Sequence, residues 1–161
     1  MKLLILVGTV TGNAEYAAQS IELACADLCE SIEVRLMDGL GPSVFDEPDT
    51  LFLICTSTYG AGDVPDNGAA FYAALDQSPR YLGHVRYGVL ALGDRAGHGS
   101  TFCAAGHAFD ERLSGLGGHR IGEVACHDIA SDPPPETFAV AWARDWLVGA
   151  LASISVEINK N

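Results

Sequence analysis

The chain has 161 residues, 48% of them hydrophobic, enough for one domain with a substantial core and too many for long disorder. Its formal net charge is −12, from 21 acidic and 9 basic residues, which argues against a nucleic-acid or anionic-membrane surface and favours a basic partner. No apolar run approaches the roughly 20 residues of a membrane span, and the N-terminus lacks the shape of a signal peptide, so a cytoplasmic protein is expected.

"KLLILV" (2–7) has the length and composition of a strand, and "GTVTGNAE" (8–15) follows it as a turn. Residues 14–29 place Ala17, Ile21, Ala24, Cys25 and Leu28 on one helical stripe. "IEVRLM" (32–37) alternates apolar and charged residues, as an edge strand does. The linker 38–49 is read as a short, irregular crossover to "TLFLIC" (50–55). Residues 66–76 form a helix after Pro65, with Asp63, Asp66 and Asn67 as candidate caps. "VRYGVLAL" (85–92) is the fourth strand, and the helix 101–116 ends at Gly117–Gly118. "RIGEVAC" (120–126) is read as an uninterrupted fifth strand. After "SDPPPE" comes a helix over 135–151, and the tail 153–161 is expected to fray beyond a single domain over 1–152.

Strands one, three and four are nearly continuous apolar runs, which fit strands covered on both faces. The alternation of strands with helices predicts an α/β fold, a five-stranded parallel sheet with helices on both faces. Five cysteines, at 25, 29, 55, 103 and 126, form no disulfide framework and no metal pattern; Cys25 and Cys29 read as small apolar filler.

In such a sheet the loops after strands one, three and four share one rim, where ligands bind. All three are rich in Gly, Ser and Thr: "GTVTGNAE" (8–15), "TSTYGAGDVPDNG" (56–68) and "GDRAGHGSTFC" (93–103). In the first, Thr9, Thr11 and Asn13 offer side-chain donors, Gly12 lets backbone approach closely, and a helix N-terminus follows. That is a phosphate cradle without Lys or Arg. It is neither G-x-x-x-x-G-K-[ST] nor G-x-G-x-x-G, so a monophosphate ester fits better than a nucleoside triphosphate or a dinucleotide. Tyr59 on the second loop can stack on a flat ring. Leu92, Gly93 and Asp94 open the third loop, where Asp94 is read equally as a ligand contact or a turn former.

These stretches resemble the flavodoxins, the FMN-binding electron carriers, over nearly the whole chain. "GTVTGNAEYAA" is similar to the family's T-x-T-G-N-[TA]-E loop. "STYGAGDVPDN" with "FYAAL" resembles the second flavin loop of the FMN domains of diflavin reductases and, more closely, of the short-chain MioC-type flavodoxins. The resemblance implies the flavodoxin-like strand order 2-1-3-4-5 and non-covalent FMN. It places Thr9, Val10, Thr11, Gly12, Asn13 and Ala14 around the phosphate. It sets Ser57, Thr58, Tyr59 and Gly60 beside the ring with Tyr59 stacked, and Leu92, Gly93, Asp94, His98, Phe102 and Cys103 on the other side. The Gly60 peptide can turn over at little steric cost, so its carbonyl could accept a hydrogen bond from the flavin N5–H.

The third loop departs from the family by lacking its usual Tyr. His98 is the only ring available, and its protonation would make the last potential pH-dependent if it lies against the flavin. The implied role is a monomeric one-electron carrier with no catalytic or metal-ligating residue. Its basic partners would be an NAD(P)H-dependent flavodoxin reductase as donor and a biosynthetic redox enzyme as acceptor. An FMN-dependent quinone or nitro reductase, and a flavin-free regulatory module on the same fold, are the alternatives.

Overall fold

The structure is a computed structural model that describes residues 1–161, the side chain of His98 excepted. The strands are β1 (Lys2–Gly8), β2 (Ser31–Leu36), β3 (Thr50–Ser57), β4 (Arg86–Gly93), β5 (His119–Arg120) and β6 (Ala125–Asp128). All pair in parallel, in the order β2-β1-β3-β4-β5, with β6 also hydrogen-bonded to β4. Helices α1 (Asn13–Ala24) and α5 (Pro135–Asn159) cover one face. Helices α2 (Asp66–Gln77) and α4 (Ala104–Gly115) cover the other, and the single turn α3 (Arg95–His98) lies at the rim.

The long apolar runs follow from burial on both faces. Leu3, Ile5, Val7, Leu51, Leu53, Cys55, Leu90 and Leu92 point towards α1 and α5. Their neighbours Leu4, Leu6, Phe52, Ile54, Tyr87 and Val89 point the other way, with Phe45, Phe71 and Phe109. Strand β2 is the edge. The second crossover is short, as its sequence suggests: a 3₁₀ turn, Pro42–Asp46, that buries Val44 and Phe45.

Four expectations need correction. The fifth strand is interrupted. At Gly122 the backbone takes φ +76, out of strand geometry, and the carbonyls of Ile121 and Gly122 accept from Trp146 Nε1 and Arg120 Nε, each at 2.8 Å. Only residues 121–124 separate the two pieces, so the chain has the short form of this strand. Helix α5 does not stop near 151 but runs to Asn159, where Glu157 accepts from Arg86 at 3.1 Å. It therefore reaches the length and mean hydropathy, 1.2, of a membrane span. Its buried stripe of Ala139, Ala143, Trp146, Leu147, Ala150 and Ile154, however, packs into the same core as α1 and the sheet, and it carries Arg144 and Asp145. Helix α1 ends earlier than expected, at Ala24, whose carbonyl accepts from Arg144 Nη1 at 2.6 Å.

The fourth correction is a disulfide between Cys103 and Cys126. Sequence spacing could not reveal it, because the fold makes the pair. Cys126 is the register partner of Ala91 on β4, and Cys103 Sγ lies 3.5 Å from the Ala91 carbonyl. The two Cα atoms stand 6.1 Å apart, within the span a disulfide bridges. Cys25, Cys29 and Cys55 are free, as filler cysteines are; burial pushes the Cys55 thiol up to about 12.

Candidate functional site

The parallel sheet brings the three loops to the C-terminal strand ends, as the sequence predicts. They enclose a pocket of about 380 Å³ lined by Val10, Thr11, Asn13, Ser57, Thr58, Tyr59, Gly60, Leu92, Gly93, Asp94 and Ile129. That size lies within the range of small-molecule sites. A larger cavity of about 520 Å³ opens around Asp49, Thr50 and Arg86, where β3 and β4 begin, away from all three loops.

The first loop is built to present donors. Gly12 sits at φ +91, a left-handed conformation that β-carbon-bearing residues rarely adopt. Its N–H donates to Thr9 Oγ1 at 3.0 Å, so Thr9 shapes the loop rather than lining the pocket. No side chain caps α1, which leaves its first-turn N–H groups and the positive end of its dipole beside Thr11 and Asn13. Ala14 is fully buried, and its carbonyl lies 3.4 Å from Cys55 Sγ.

Asn67 holds this loop from below, which corrects its reading as a helix cap. Its Oδ1 accepts from the Thr9 N–H at 2.8 Å. Its Nδ2 donates to the Val7 carbonyl at 3.0 Å and to Asp38 Oδ2 at 3.1 Å. Neither Asp63 nor Asp66 caps α2 through its side chain either.

The second loop is a tight return. The Tyr59 N–H donates to the Asp63 carbonyl at 2.8 Å, and the Asp63 N–H donates back at 2.7 Å. Between them Gly60 takes φ +54. Tyr59 is half exposed, its ring on the pocket wall. Thr58 is buried, and its Oγ1 accepts the Ala105 N–H at 3.2 Å, which caps α4 from the second loop.

In the third loop Asp94 is a turn former, its Oδ1 accepting from the Ala96 N–H at 3.1 Å to start α3, and the residue also lines the pocket. Gly93 is required by space. A β-carbon there would stand 1.5 Å from the Phe102 carbonyl oxygen. Beneath it the chain turns away, so Phe102 and Cys103 do not reach the pocket; they line a neighbouring cavity, with the Arg95 guanidinium 4.6 Å from the Phe102 ring centre. The backbone of His98 closes α3, and its side chain lies outside the described residues.

Ile129 was absent from the sequence reading. It sits after β6, and its N–H donates to the Gly93 carbonyl at 2.8 Å. The signal was available, since every βα connection of a parallel sheet leaves at the same rim and "HDIASDPPPE" is one of them. Among the described residues no cluster of His, Cys, Asp or Glu could hold a metal ion.

The donor set suits FMN. Uncharged hydroxyls, an amide and a helix N-terminus can hold a phosphate ester. An aromatic ring with Val10, Leu92 and Ile129 can flank a flat heterocycle. Known proteins agree. The flavodoxin family model matches residues 5–142. The chain is 38% identical to Flavodoxin YqcA of Pectobacterium carotovorum subsp. carotovorum over 142 residues, covering 88% of this chain and 92% of that one. It is 32% identical to protein MioC of Escherichia coli (strain K12) over 149 residues, covering 89% and 94%. The solved flavodoxin of Streptococcus pneumonia TIGR4 superposes with a TM-score of 0.79 at 25% identity, over 95% of this chain and 99% of that one. A sheet in this strand order, three loops meeting over one pocket and a family model spanning most of its length make the chain a member of the flavodoxin family, the FMN-binding electron carriers.

Proposed function

We propose that the chain carries electrons singly between a cytoplasmic NAD(P)H-dependent reductase and a biosynthetic redox enzyme, with FMN held non-covalently in the rim pocket. The observation that carries this reading is the convergence of all three loops on one pocket walled by an aromatic ring and neutral donors. Bound FMN supplies the redox chemistry, accepting and returning electrons one at a time. The rest is done by the chain. Thr11, Asn13 and the first-turn N–H groups of α1 grip the phosphate without a counter-cation. Tyr59 would stack on the ring, and Leu92, Gly93 and Ile129 would close the other side of the pocket. The Gly60 peptide, held between the paired Tyr59 and Asp63, can present either its N–H or its carbonyl to the ring edge.

Electrostatics favours the same role. A net charge of −12 opposes further negative charge on the ring, which makes the last electron strongly reducing. It also steers basic partners, with association that weakens as salt rises. No side chain is needed as acid, base or nucleophile on a substrate. Stepwise reductive titration of the FMN-loaded protein tests this: two separated one-electron steps are expected, with slow reduction by NADPH alone. Fast reduction by NADPH without a partner would favour a reductase instead.

A further inference from the structure

Cys103 and Cys126 form a bonded pair whose two ends differ. Cys103 is 3% exposed at the N-cap position of α4, whereas Cys126 is exposed on β6. Both line a cavity of about 480 Å³, separate from the flavin pocket, together with Thr101, Phe102 and His107. A thiol arriving from solvent meets Cys126 first.

The bond also lies where the flavin loops are tied together. One residue before Cys103, the Phe102 carbonyl packs on Gly93. Two residues after it, the Ala105 N–H is held by Thr58 Oγ1 at 3.2 Å. Gly93 and Thr58 both line the flavin pocket. Bonding Cys103 to β6 therefore anchors the point at which the second and third loops meet.

We propose that this disulfide is a thiol–disulfide exchange site, opened by an external dithiol that attacks Cys126, and that opening it loosens the grip on FMN. A thiolate of the dithiol bonds to Cys126 Sγ, the Cys103–Cys126 bond breaks, and the electron pair leaves on Cys103 Sγ. The N-terminal N–H groups of α4 favour negative charge there, so Cys103 is the better leaving group. Once it takes a proton from water, its S–H has the Ala91 carbonyl as an acceptor, 3.5 Å away. The second thiol of the reductant then displaces Cys126 as a thiolate, which is protonated in turn. In sum the pair gains two electrons and two protons, and the external dithiol becomes a disulfide. The covalent tie between Cys103 and β6 is then gone, and the packing of Phe102 on Gly93 and the Ala105–Thr58 hydrogen bond must hold this junction without it.

Alkylation with iodoacetamide after denaturation reads the state of the pair without any flavin, so a failure of the FMN reading would show separately. Protein isolated without reductant is expected to alkylate at three cysteines, Cys25, Cys29 and Cys55, and at all five after dithiothreitol. Re-exposure to oxidised glutathione should restore three. In the folded protein, Cys126 of a Cys103→Ser variant should react with dithiobis(nitrobenzoate) at least about tenfold faster than Cys103 of a Cys126→Ser variant. FMN should leave the dithiol form at least about threefold faster than the disulfide form. Five alkylated cysteines after oxidised glutathione, equal reactivity of the two cysteines, or an FMN release rate untouched by reduction would each overturn the proposal.

Discussion

Asn67 offers the sharpest test of how the first loop is held. Asn67→Ala removes three hydrogen bonds at once: the acceptor for the Thr9 N–H and the donors to Val7 and Asp38. Leaving the half-buried Thr9 N–H unpaired costs about 1–2 kcal/mol, and the two lost donations add about 0.5–1 kcal/mol each, so stability should fall by about 2–4 kcal/mol. Part of that loss must be made good when FMN orders the loop. We expect about 1–2 kcal/mol to appear in binding, a Kd raised roughly 5- to 30-fold. Urea unfolding of the flavin-free protein measures the first quantity, and quenching of FMN fluorescence the second. Asn67→Asp keeps the acceptor for Thr9 but sets a carboxylate against Asp38. Its defect should ease as the pH falls towards about 4 and a proton restores the donor. An Asn67→Ala variant with an unchanged urea midpoint and a Kd within about twofold of the parent's would refute the assignment.

Other expectations follow from single contacts. Gly93→Ala drives a β-carbon into the Phe102 carbonyl, so thermal unfolding should report a loss of about 3 kcal/mol or more, and FMN binding should fail with it. Thr58→Ala uncaps α4 and should lower stability by about 1 kcal/mol in urea, with little change in the helix content seen by circular dichroism. The Arg144 guanidinium, bonded to Asp27 at 3.0 Å, holds that carboxyl below the usual range. A depressed folded pKa contributes stability that is complete above the unfolded value, about 3.9, and is lost as pH falls through the folded value. Arg144→Met should therefore raise the Asp27 pKa in an NMR titration and flatten acid destabilisation below about pH 4.

What could be read in advance was whatever rests on local pattern. β1, β3 and β4 announce themselves because burial on both faces demands unbroken apolar runs. The Thr- and Gly-rich turn at 8–15 is legible because only such residues leave an α1 N-terminus open to a ligand. Long-range consequences were not legible. Gly122 breaks the fifth strand because Trp146, on a distant helix, takes the Ile121 carbonyl. Asn67 looks like a cap beside Pro65, yet it reaches 58 residues back to Thr9. Cys103 and Cys126 pair because β6 lies beside β4, a fact of register that no spacing rule contains. For the same reason Phe102 and Cys103, near the pocket in sequence, turn out to line a different cavity.

Titration of flavin-free protein with FMN, followed by fluorescence and absorbance, tests the central claim most directly. The account predicts saturable binding of one FMN per chain, a yellow protein with quenched flavin fluorescence, and loss of that binding when Gly12 at φ +91 is replaced by valine. A correctly folded chain that stays colourless at saturating FMN, or binds it equally well with valine at that position, would contradict it.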